Sequence, residues 1–241
     1  MNLIHVGATI VICDGALREI DSGLAPTVVH PMTVSASTQR LLVLVASPRR
    51  DGNSAMLGAA VVRGAQAAGS EVSLAFIDDH LDGLVRDCRE CRDDQGRCRI
   101  EDGFGGLFLD RFLPADGVAL CTPVYWYGMS GQAKVFFDRM FCYFAKSHAG
   151  SAQVRERIKR KRVALLTSSE EIYPAIALGI VHQLQEYARY THSRFIGTVH
   201  GWGNGRGEVM RDPQGSVAAA EALGREFFER PYLDLQMDTP R

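Results

Sequence analysis

Hydroxyl, amide and guanidinium side chains follow one short apolar run of the chain, in residues 47–54. Ser47 and Ser54 supply hydroxyls, Asn53 an amide and Arg49 a guanidinium. These groups bind phosphate when they surround the N-terminus of a helix, where backbone N–H groups are free to donate. A surface turn rich in turn-forming residues is the alternative. The segment matches neither the P-loop nor the Rossmann fingerprint.

A second segment, residues 122–130, combines apolar and aromatic side chains with polar backbone. Its first six residues are Thr122, Pro123, Val124, Tyr125, Trp126 and Tyr127. Such a surface can carry a flat, amphipathic ring, while backbone amides bind the polar edge of that ring. An aromatic cluster in the core, or an interface with a partner, is the alternative. Ser130 is placed to cap the helix that follows.

The elements that must position these loops alternate along the chain. Short β-branched runs predict strands at residues 41–46, 72–77, 117–121, 163–167 and 195–200. Helical spacing predicts helices at residues 54–68, 104–112, 130–144, 177–188 and 216–229. This alternation predicts an α/β fold: a flavodoxin-like, doubly wound, five-stranded parallel sheet of order 2-1-3-4-5, in three αβα layers. Ligands of such sheets bind beyond the carboxyl ends of the strands, where both loops would lie.

Composition narrows the class of protein further. The 241 residues carry a formal net charge of −1, which favours neither nucleic acid nor an anionic membrane as a partner. The sequence contains no run of about 18 apolar residues, so we expect no membrane-spanning helix. The first residues lack the features of a signal peptide, so we expect a cytoplasmic protein. The basic run at residues 155–162 is expected to be a solvated face.

The same patterns divide the chain into three parts. Residues 1–40 do not follow the α/β alternation, and they are expected to form a poorly ordered extension or a dimer-embracing arm. Residues 41–230 form the flavodoxin-like domain, and residues 231–241 form a C-terminal tail.

Two motifs carry a family resemblance. Residues 47–54 resemble the S-P-R-x-x-G-N-[ST] phosphate loop of the NADPH-dependent FMN reductase and iron–sulfur flavoprotein families. Residues 122–139 resemble the T-P-V-Y segment of those families, with its later S, K and D-R positions. The likeness covers residues 41–230, and Ala46 replaces the glycine that most members have. It implies that FMN binds with its phosphate on Ser47, Arg49, Asn53 and Ser54 and its ring on Thr122, Pro123, Val124, Tyr125, Trp126 and Tyr127.

The resemblance implies an FMN-dependent NAD(P)H oxidoreductase. Reduced nicotinamide, NADH or NADPH, would deliver a hydride, and the electrons would pass to a quinone, a flavin or another small acceptor. A homodimer or homotetramer is also implied. The alternative is an iron–sulfur flavoprotein that carries electrons between proteins. The loops at residues 167–171 and 201–207 stay unassigned: the first has serines and acids where relatives often have glycines, and the second is expected to be flexible.

Three cysteines in a polar, arginine-rich loop raise the question of a metal. Cys88, Cys91 and Cys98 resemble the last three members of the C-x2-C-x2-C-x5-C motif of iron–sulfur flavoproteins, with Val85 at the first position. A [4Fe–4S] cluster would need a fourth ligand from elsewhere, such as Asp87, Asp94 or a residue of another subunit. A zinc site, a pair of redox-active thiols and a loop without metal remain open alternatives. Two other cysteines, Cys121 and Cys142, lie in apolar runs and are expected to be buried thiols.

Overall fold

A computed structural model describes residues 38–87, 89, 90, 92–173 and 175–231, together with the backbone of two short strands near the N-terminus. These strands, β1 (Thr9–Cys13) and β2 (Ala16–Ile20), pair antiparallel, with Cys13 opposite Ala16. Backbone contacts divide the chain into two compact units, Met1–Ser37 and Thr38–Arg241. The expectation of a poorly ordered N-terminal extension concerns residues that lie mostly outside the described ones, and so does the expected C-terminal tail.

The second unit is built on the predicted parallel sheet. Its strands are β3 (Arg40–Val45), β4 (Glu71–Phe76), β5 (Gly117–Tyr125), β7 (Arg162–Ser169) and β8 (Arg194–Trp202). They lie in the order β4-β3-β5-β7-β8 and all pair parallel. The predicted order 2-1-3-4-5 is therefore confirmed. A two-residue strand, β6 (Gly128–Met129), folds back antiparallel on the end of β5.

Helices cover both faces of this sheet. They are α1 (Asn53–Ala67), α2 (Phe104–Gly106, continued as a π-helix over Leu107–Phe112), α3 (Gly131–Phe144), α4 (Ser151–Ile158), α5 (Leu178–Thr191) and α6 (Ser216–Arg225). Single turns of 3-10 helix occur at Ile77–Asp79 and Glu208–Arg211. Every helix in the described ranges is too short or too polar to cross a lipid bilayer.

The alternation of side chains along each strand divides the core into two parts. Leu42 and Leu44 pack with the aromatic residues of α2 and α3, whereas Leu41 and Val43 pack under α1 and α6. Both sets are buried, as expected for a parallel strand covered on its two faces. Helices α1 and α6 approach closely because Gly64 faces α6, where a Cβ atom would lie 1.9 Å from the Glu221 carbonyl oxygen.

The expectation of five helices was wrong, because α4 is a sixth. Val154 and Ile158 are one helical turn apart and both are buried, so they anchor α4 to the core. The basic residues around them hid this short apolar stripe in the sequence. The expected solvated face holds for most of the run, but Lys161 is only 3% exposed.

One buried ion pair fixes the long loop between β4 and α2. The Arg139 guanidinium of α3 donates to both carboxylate oxygens of Asp102, and both side chains are 1% exposed. Arg139 also stacks over the ring of Phe104, at 4.4 Å from the ring centroid. Asp102 accepts hydrogen bonds from the backbone N–H groups of Asp82 and Phe104. This network ties both ends of the loop to α3.

The same network explains the acidity of Asp102. Burial raises the pKa of this carboxyl group, but the hydrogen bonds from Arg139 and from two backbone N–H groups outweigh it and lower the pKa to about 2. A free aspartate titrates near pH ~3.9. The contribution of Asp102 to stability is therefore complete above about pH 4, and it is lost as the pH falls toward 2.

We predict that Asp102→Asn lowers the free energy of unfolding by about 3–5 kcal/mol, because it leaves the Arg139 charge buried without a counterion. Urea unfolding at pH 7 measures this loss. The matched control is Asp138→Asn, which removes an exposed partner of Lys134 and should cost about 0.5 kcal/mol or less. The difference between wild type and Asp102→Asn should shrink below about pH 4. Equal losses in the two variants would show that the buried pair is not needed.

Candidate functional site

A cavity of about 330 Å³ opens at the carboxyl ends of four strands. Four loops line it, one after each of β3, β5, β7 and β8. Their lining residues are Ser47, Arg49, Gly52, Asn53 and Ser54; Pro123, Val124 and Tyr125; Ser168, Ser169 and Glu170; and Gly203, Asn204, Gly205 and Arg206. The cavity lies where parallel α/β sheets bind their ligands.

Helix α1 begins at this cavity without a side-chain cap. Gly52 occupies the N-cap position and provides no side-chain hydrogen bond. A Cβ atom at Gly52 would lie 2.9 Å from the Cβ of Arg49, so glycine lets the chain turn tightly here. Ser54 in the first turn is buried. Buried N–H groups at a helix N-terminus require an acceptor, and a bound anion is one way to supply it.

The two arginines of the loop differ in their partners. The Arg50 guanidinium donates to the carboxylates of Asp78, at 3.1 Å, and Asp79, at 2.6 Å, and it also lies over the ring of Phe76. Arg49 is exposed at the rim of the cavity and forms no ion pair with any residue in the described ranges. Of these two neighbouring cations, Arg49 is therefore the one available to a ligand.

Hydroxyl groups line the floor of the cavity. Ser47 is buried, and its Oγ accepts a hydrogen bond from the Arg49 N–H at 3.4 Å. The Oγ atoms of Ser54 and Ser168 are 3.0 Å apart, which joins the start of α1 to the end of β7.

Asn53 connects α1 to the loop after β8. Its Nδ2 donates to the Gly203 carbonyl oxygen at 2.8 Å, and its Oδ1 accepts from the Val209 N–H at 3.1 Å. Gly203 permits this contact, because a Cβ atom there would lie 2.9 Å from Asn53 Nδ2. The expected flexible loop at residues 201–207 is thus attached to the start of α1 and forms one wall of the cavity.

The aromatic segment forms a β-hairpin. Val124 pairs with Met129 and Tyr125 with Gly128, so Trp126 and Tyr127 form a two-residue turn with φ values of 49° and 61°. Positive φ at both positions is typical of a type I′ turn, which matches the twist of the paired strands. Pro123, Val124 and Tyr125 line the cavity, while Trp126 and Tyr127 lie outside its lining. Trp126 is 95% exposed.

Thr122 lies beneath the cavity rather than in its wall. It is fully buried, and its Oγ1 accepts from the Ser130 N–H at 3.0 Å and donates to the Pro123 carbonyl oxygen. Ser130 caps α3 as predicted, because its Oγ accepts from the Ala133 N–H. The same hydroxyl donates to the Ala46 carbonyl oxygen at 2.7 Å. These bonds hold the two site loops against each other.

A chain of hydroxyl and imidazole groups that no sequence motif indicated lies beside the cavity. His200 Nδ1 lies 2.8 Å from Thr167 Oγ1, and His200 Nε2 lies 3.0 Å from Ser169 Oγ. The Ser169 hydroxyl donates to the Glu171 carbonyl oxygen, so it accepts from the Nε2–H of His200. Burial lowers the pKa of His200, and the imidazole is therefore neutral near pH 7. His200 is more than 30 positions from Thr167 and Ser169 in the sequence, so no local motif could have revealed this chain.

The cysteine loop lies only partly within the described residues. Cys88 and Cys91 fall outside them. Cys98 Sγ lies 3.7 Å from Arg139 Nη2, and the Cys142 thiol is its neighbour on α3. A hydrogen bond with Cys142 lowers the pKa of Cys98 to about 5, against the burial that raises it and with help from Ile100 and Arg139. Among the described residues, no three histidine, cysteine or acidic side chains are grouped to hold a metal ion.

Curated relatives support a flavin-dependent redox protein. The chain is 26% identical over 188 residues to the putative NAD(P)H-dependent FMN-containing oxidoreductase YwqN of Bacillus subtilis, which covers 77% of this chain and 97% of that protein. It is 30% identical over 101 residues to an iron–sulfur flavoprotein of Methanocaldococcus jannaschii, covering 42% of this chain and 51% of the relative. The chain therefore spans about half of the iron–sulfur flavoprotein that it matches.

Solved structures share the fold of this chain, and a family model identifies its family. The Trp repressor binding protein from Bacillus subtilis shares the fold with a TM-score of 0.59, at 22% identity, over 76% of this chain and 98% of that one. The NAD(P)H:quinone oxidoreductase from Methanothermobacter marburgensis has a TM-score of 0.54, at 15% identity, over 82% of this chain and 100% of that one. The model of the NADPH-dependent FMN reductase family matches residues 39–197. Because this match spans most of the chain, the protein belongs to the NADPH-dependent FMN reductase family.

Proposed function

We propose that this protein is an NAD(P)H oxidoreductase that binds FMN in the cavity at the carboxyl ends of its strands and passes electrons to a quinone, a flavin or another small acceptor. The observation that carries the proposal is the start of α1, which has no side-chain cap and lies beside Arg49, a residue without an ion-pair partner in the described part of the chain. Family membership supports the use of FMN and of reduced nicotinamide. The acceptor is the part of the proposal that goes beyond the family.

The residues fit the phosphate of FMN. A phosphate dianion needs several donors, and the first turn of α1 offers backbone N–H groups in a region of positive helix potential. Ser47 and Ser54 add hydroxyls on the floor of the cavity, and Arg49 adds a charge at its rim. Asn53 contributes differently under this proposal, because both ends of its amide already bind the loop after β8. Its side chain would hold that wall of the site in place.

The ring of FMN would lie on the β5 side of the cavity. Pro123, Val124 and Tyr125 provide an apolar platform, and Ser168 to Glu170 provide the opposite, polar wall. When bound, FMN supplies the redox chemistry by taking a hydride from nicotinamide and giving two electrons to the acceptor. The protein positions the ring and limits access of water. Ser169, bound to the neutral His200, can hold a proton close to this wall.

Exposed aromatic side chains next to the cavity support a second part of the proposal. Trp126 is almost fully exposed, and Tyr127 hydrogen-bonds with Tyr173 beside it. Neighbouring exposed aromatic side chains such as these form an apolar patch that a second copy of the chain would bury. We therefore propose a homodimer or homotetramer in which this hairpin contributes to the subunit interface.

The iron–sulfur carrier is a weaker alternative. The relatives that suggest it match this chain over half of their length, and the motif lacks a cysteine at residue 85. The third cysteine, Cys98, has partners within the protein in Arg139 and Cys142. A reductase without an iron–sulfur cluster accounts for these observations and needs no fourth cluster ligand.

Arg49→Ala should weaken FMN binding about 10- to 100-fold, because it removes a charge-assisted hydrogen bond to the phosphate worth roughly 1.5–3 kcal/mol. Fluorescence titration of the protein with FMN measures the dissociation constant. Arg50→Ala is the matched control, since Arg50 is bound to Asp78 and Asp79, and it should change affinity less than about threefold. Equal affinity in wild type and Arg49→Ala would refute the phosphate site.

Anaerobically purified protein should show flavin absorption bands without stoichiometric iron or acid-labile sulfide. The same preparation should oxidise NADH or NADPH when a soluble quinone is added, because the flavin passes electrons to small acceptors. The spectrum, the two assays and the turnover rate are measured on one sample. About four iron atoms per chain, with no quinone-dependent oxidation of nicotinamide, would favour the electron carrier instead.

A further inference from the structure

A second cavity lies at the amino ends of the strands, on the side of the sheet opposite to the first cavity. Its walls are strongly basic. Its volume is about 660 Å³, twice that of the proposed FMN site. Among the cationic residues that line it are Arg40, Arg157, Arg160, Lys161, Arg162 and Arg194. One carboxylate, that of Asp116, also lines it. We call this cavity the basic pocket.

The fold brings these residues together at the starting ends of neighbouring strands. Arg40, Arg162 and Arg194 are the first residues of β3, β7 and β8, and Arg162 is directly beside Arg194 in the sheet register. The turn between α4 and β7 adds Arg160 and Lys161. That turn is held by a hydrogen bond from the Arg160 N–H to the His192 carbonyl oxygen, at 2.8 Å.

Some of these charges already have partners. Arg40 faces Asp116 at 4.0 Å, and the Arg162 guanidinium donates to the carbonyl oxygens of Phe227 and Arg230. In contrast, no carboxylate among the described residues lies within ion-pair distance of Arg157, Arg160 or Arg194. The pocket therefore has an excess of positive charge within the described part of the chain.

Lys161 adds a buried positive charge to this pocket. Its side chain is 3% exposed, and its ammonium group donates to the carbonyl oxygens of Leu113 and Ala115. The same ammonium group also lies over the ring of Phe112, at 5.4 Å from the ring centroid. The pKa of Lys161 is lowered to about 8, mainly by burial; Asp116 opposes this shift, and the charges of Arg40 and Arg157 add to it.

Like charges that are held close together destabilise a fold unless a ligand or a counterion compensates them. Arg162 and Arg194 show the same effect, because burial and the neighbouring charge of Arg194 both lower the pKa of Arg162. An anion with several charges would neutralise the pocket at once. Arginine pairs with phosphate oxygens through two parallel hydrogen bonds, which makes phosphate the best match for this set of side chains.

We propose that the basic pocket binds a small molecule that carries two or more phosphates. Its volume suits a nucleotide-sized ligand and exceeds what one phosphate would fill. Its concave shape, between β-strand starts and the α4–β7 turn, favours a small molecule over an extended nucleic acid. The half-buried ring of Phe228 lines the same pocket and could stack against a planar base.

This site is separate from the proposed FMN site. The two lie at opposite ends of strands of six to nine residues, which at about 3.3 Å per residue places them roughly 20 Å or more apart. The inference therefore stands or falls independently of the proposed oxidoreductase function.

Isothermal titration calorimetry of FMN-saturated protein tests the proposal, because added FMN occupies the other phosphate site. The probes are tripolyphosphate, ATP and orthophosphate at fixed ionic strength. We expect tripolyphosphate and ATP to bind, and orthophosphate to bind at least about tenfold more weakly. Tighter binding of ATP than of tripolyphosphate would add support for a base against Phe228, and equal binding would identify the phosphates as the recognised group.

The double variant Arg157→Gln/Arg160→Gln should weaken binding of both polyphosphates about tenfold or more while FMN affinity stays unchanged. The matched control is Arg63→Gln/Arg225→Gln, which removes two exposed arginines that pair with Glu221 on another surface. The control should bind polyphosphates as the wild type does. Thermal unfolding of each variant checks that it is folded.

Three results would overturn the proposal. The first is no heat of binding at millimolar tripolyphosphate or ATP. The second is equal loss of affinity in the Arg157/Arg160 variant and in the control. The third is tighter binding of a 20-base-pair DNA duplex, lost in the same variant, which would show a nucleic-acid surface instead.

Discussion

Helix α1 begins with its first turn buried and without a side chain to accept its N–H groups. A helix of 15 residues in this position concentrates a partial positive charge at the point where the parallel strands end. The loops around it leave this end of the helix open to the cavity. The hydroxyls of Ser54 and Ser168, the amide of Asn53 and the glycine at 203 all serve that arrangement.

The direction of the strands in the parallel sheet determines where the chemically active groups of this protein gather. Because all five main strands run in the same direction, their carboxyl ends meet at one edge and their amino ends at the other. The proposed cofactor site uses the first edge, with hydroxyls and an open helix end. The second edge gathers arginines at the starts of three strands, which accounts for the concentrated charge there. The buried Arg139–Asp102 pair ties the two ends of the loop between β4 and α2 to α3.

Local patterns in the sequence predicted the fold well. Continuous apolar runs mark strands covered on both faces, and the order of strands follows from the right-handed connections between them. Residues 47–54 are consecutive, so their common position at one cavity was predictable, while phosphate binding by them remains a prediction. The short helix α4 was not, since its two buried residues, Val154 and Ile158, sit among charged neighbours that dominate the pattern.

Contacts between residues far apart in the sequence could not be predicted from local patterns. Asn53 binds residues 150 and 156 positions away, and Ser169 meets His200 on the neighbouring strand. No local spacing encodes such pairs. The predicted ring contacts of Trp126 and Tyr127 remain a prediction, because both lie in a turn at the edge of the site, outside the cavity lining, whereas Pro123, Val124 and Tyr125 line it.

The most direct measurement is a crystal structure of the protein grown with excess FMN. We expect the FMN phosphate to lie against the backbone N–H groups of residues 53–55, with the Arg49 guanidinium and the Ser54 hydroxyl in hydrogen-bond contact. The ring should lie between Tyr125 and the end of β7. A flavin bound elsewhere, with the start of α1 occupied only by water, would contradict the claim that this helix end is the phosphate site.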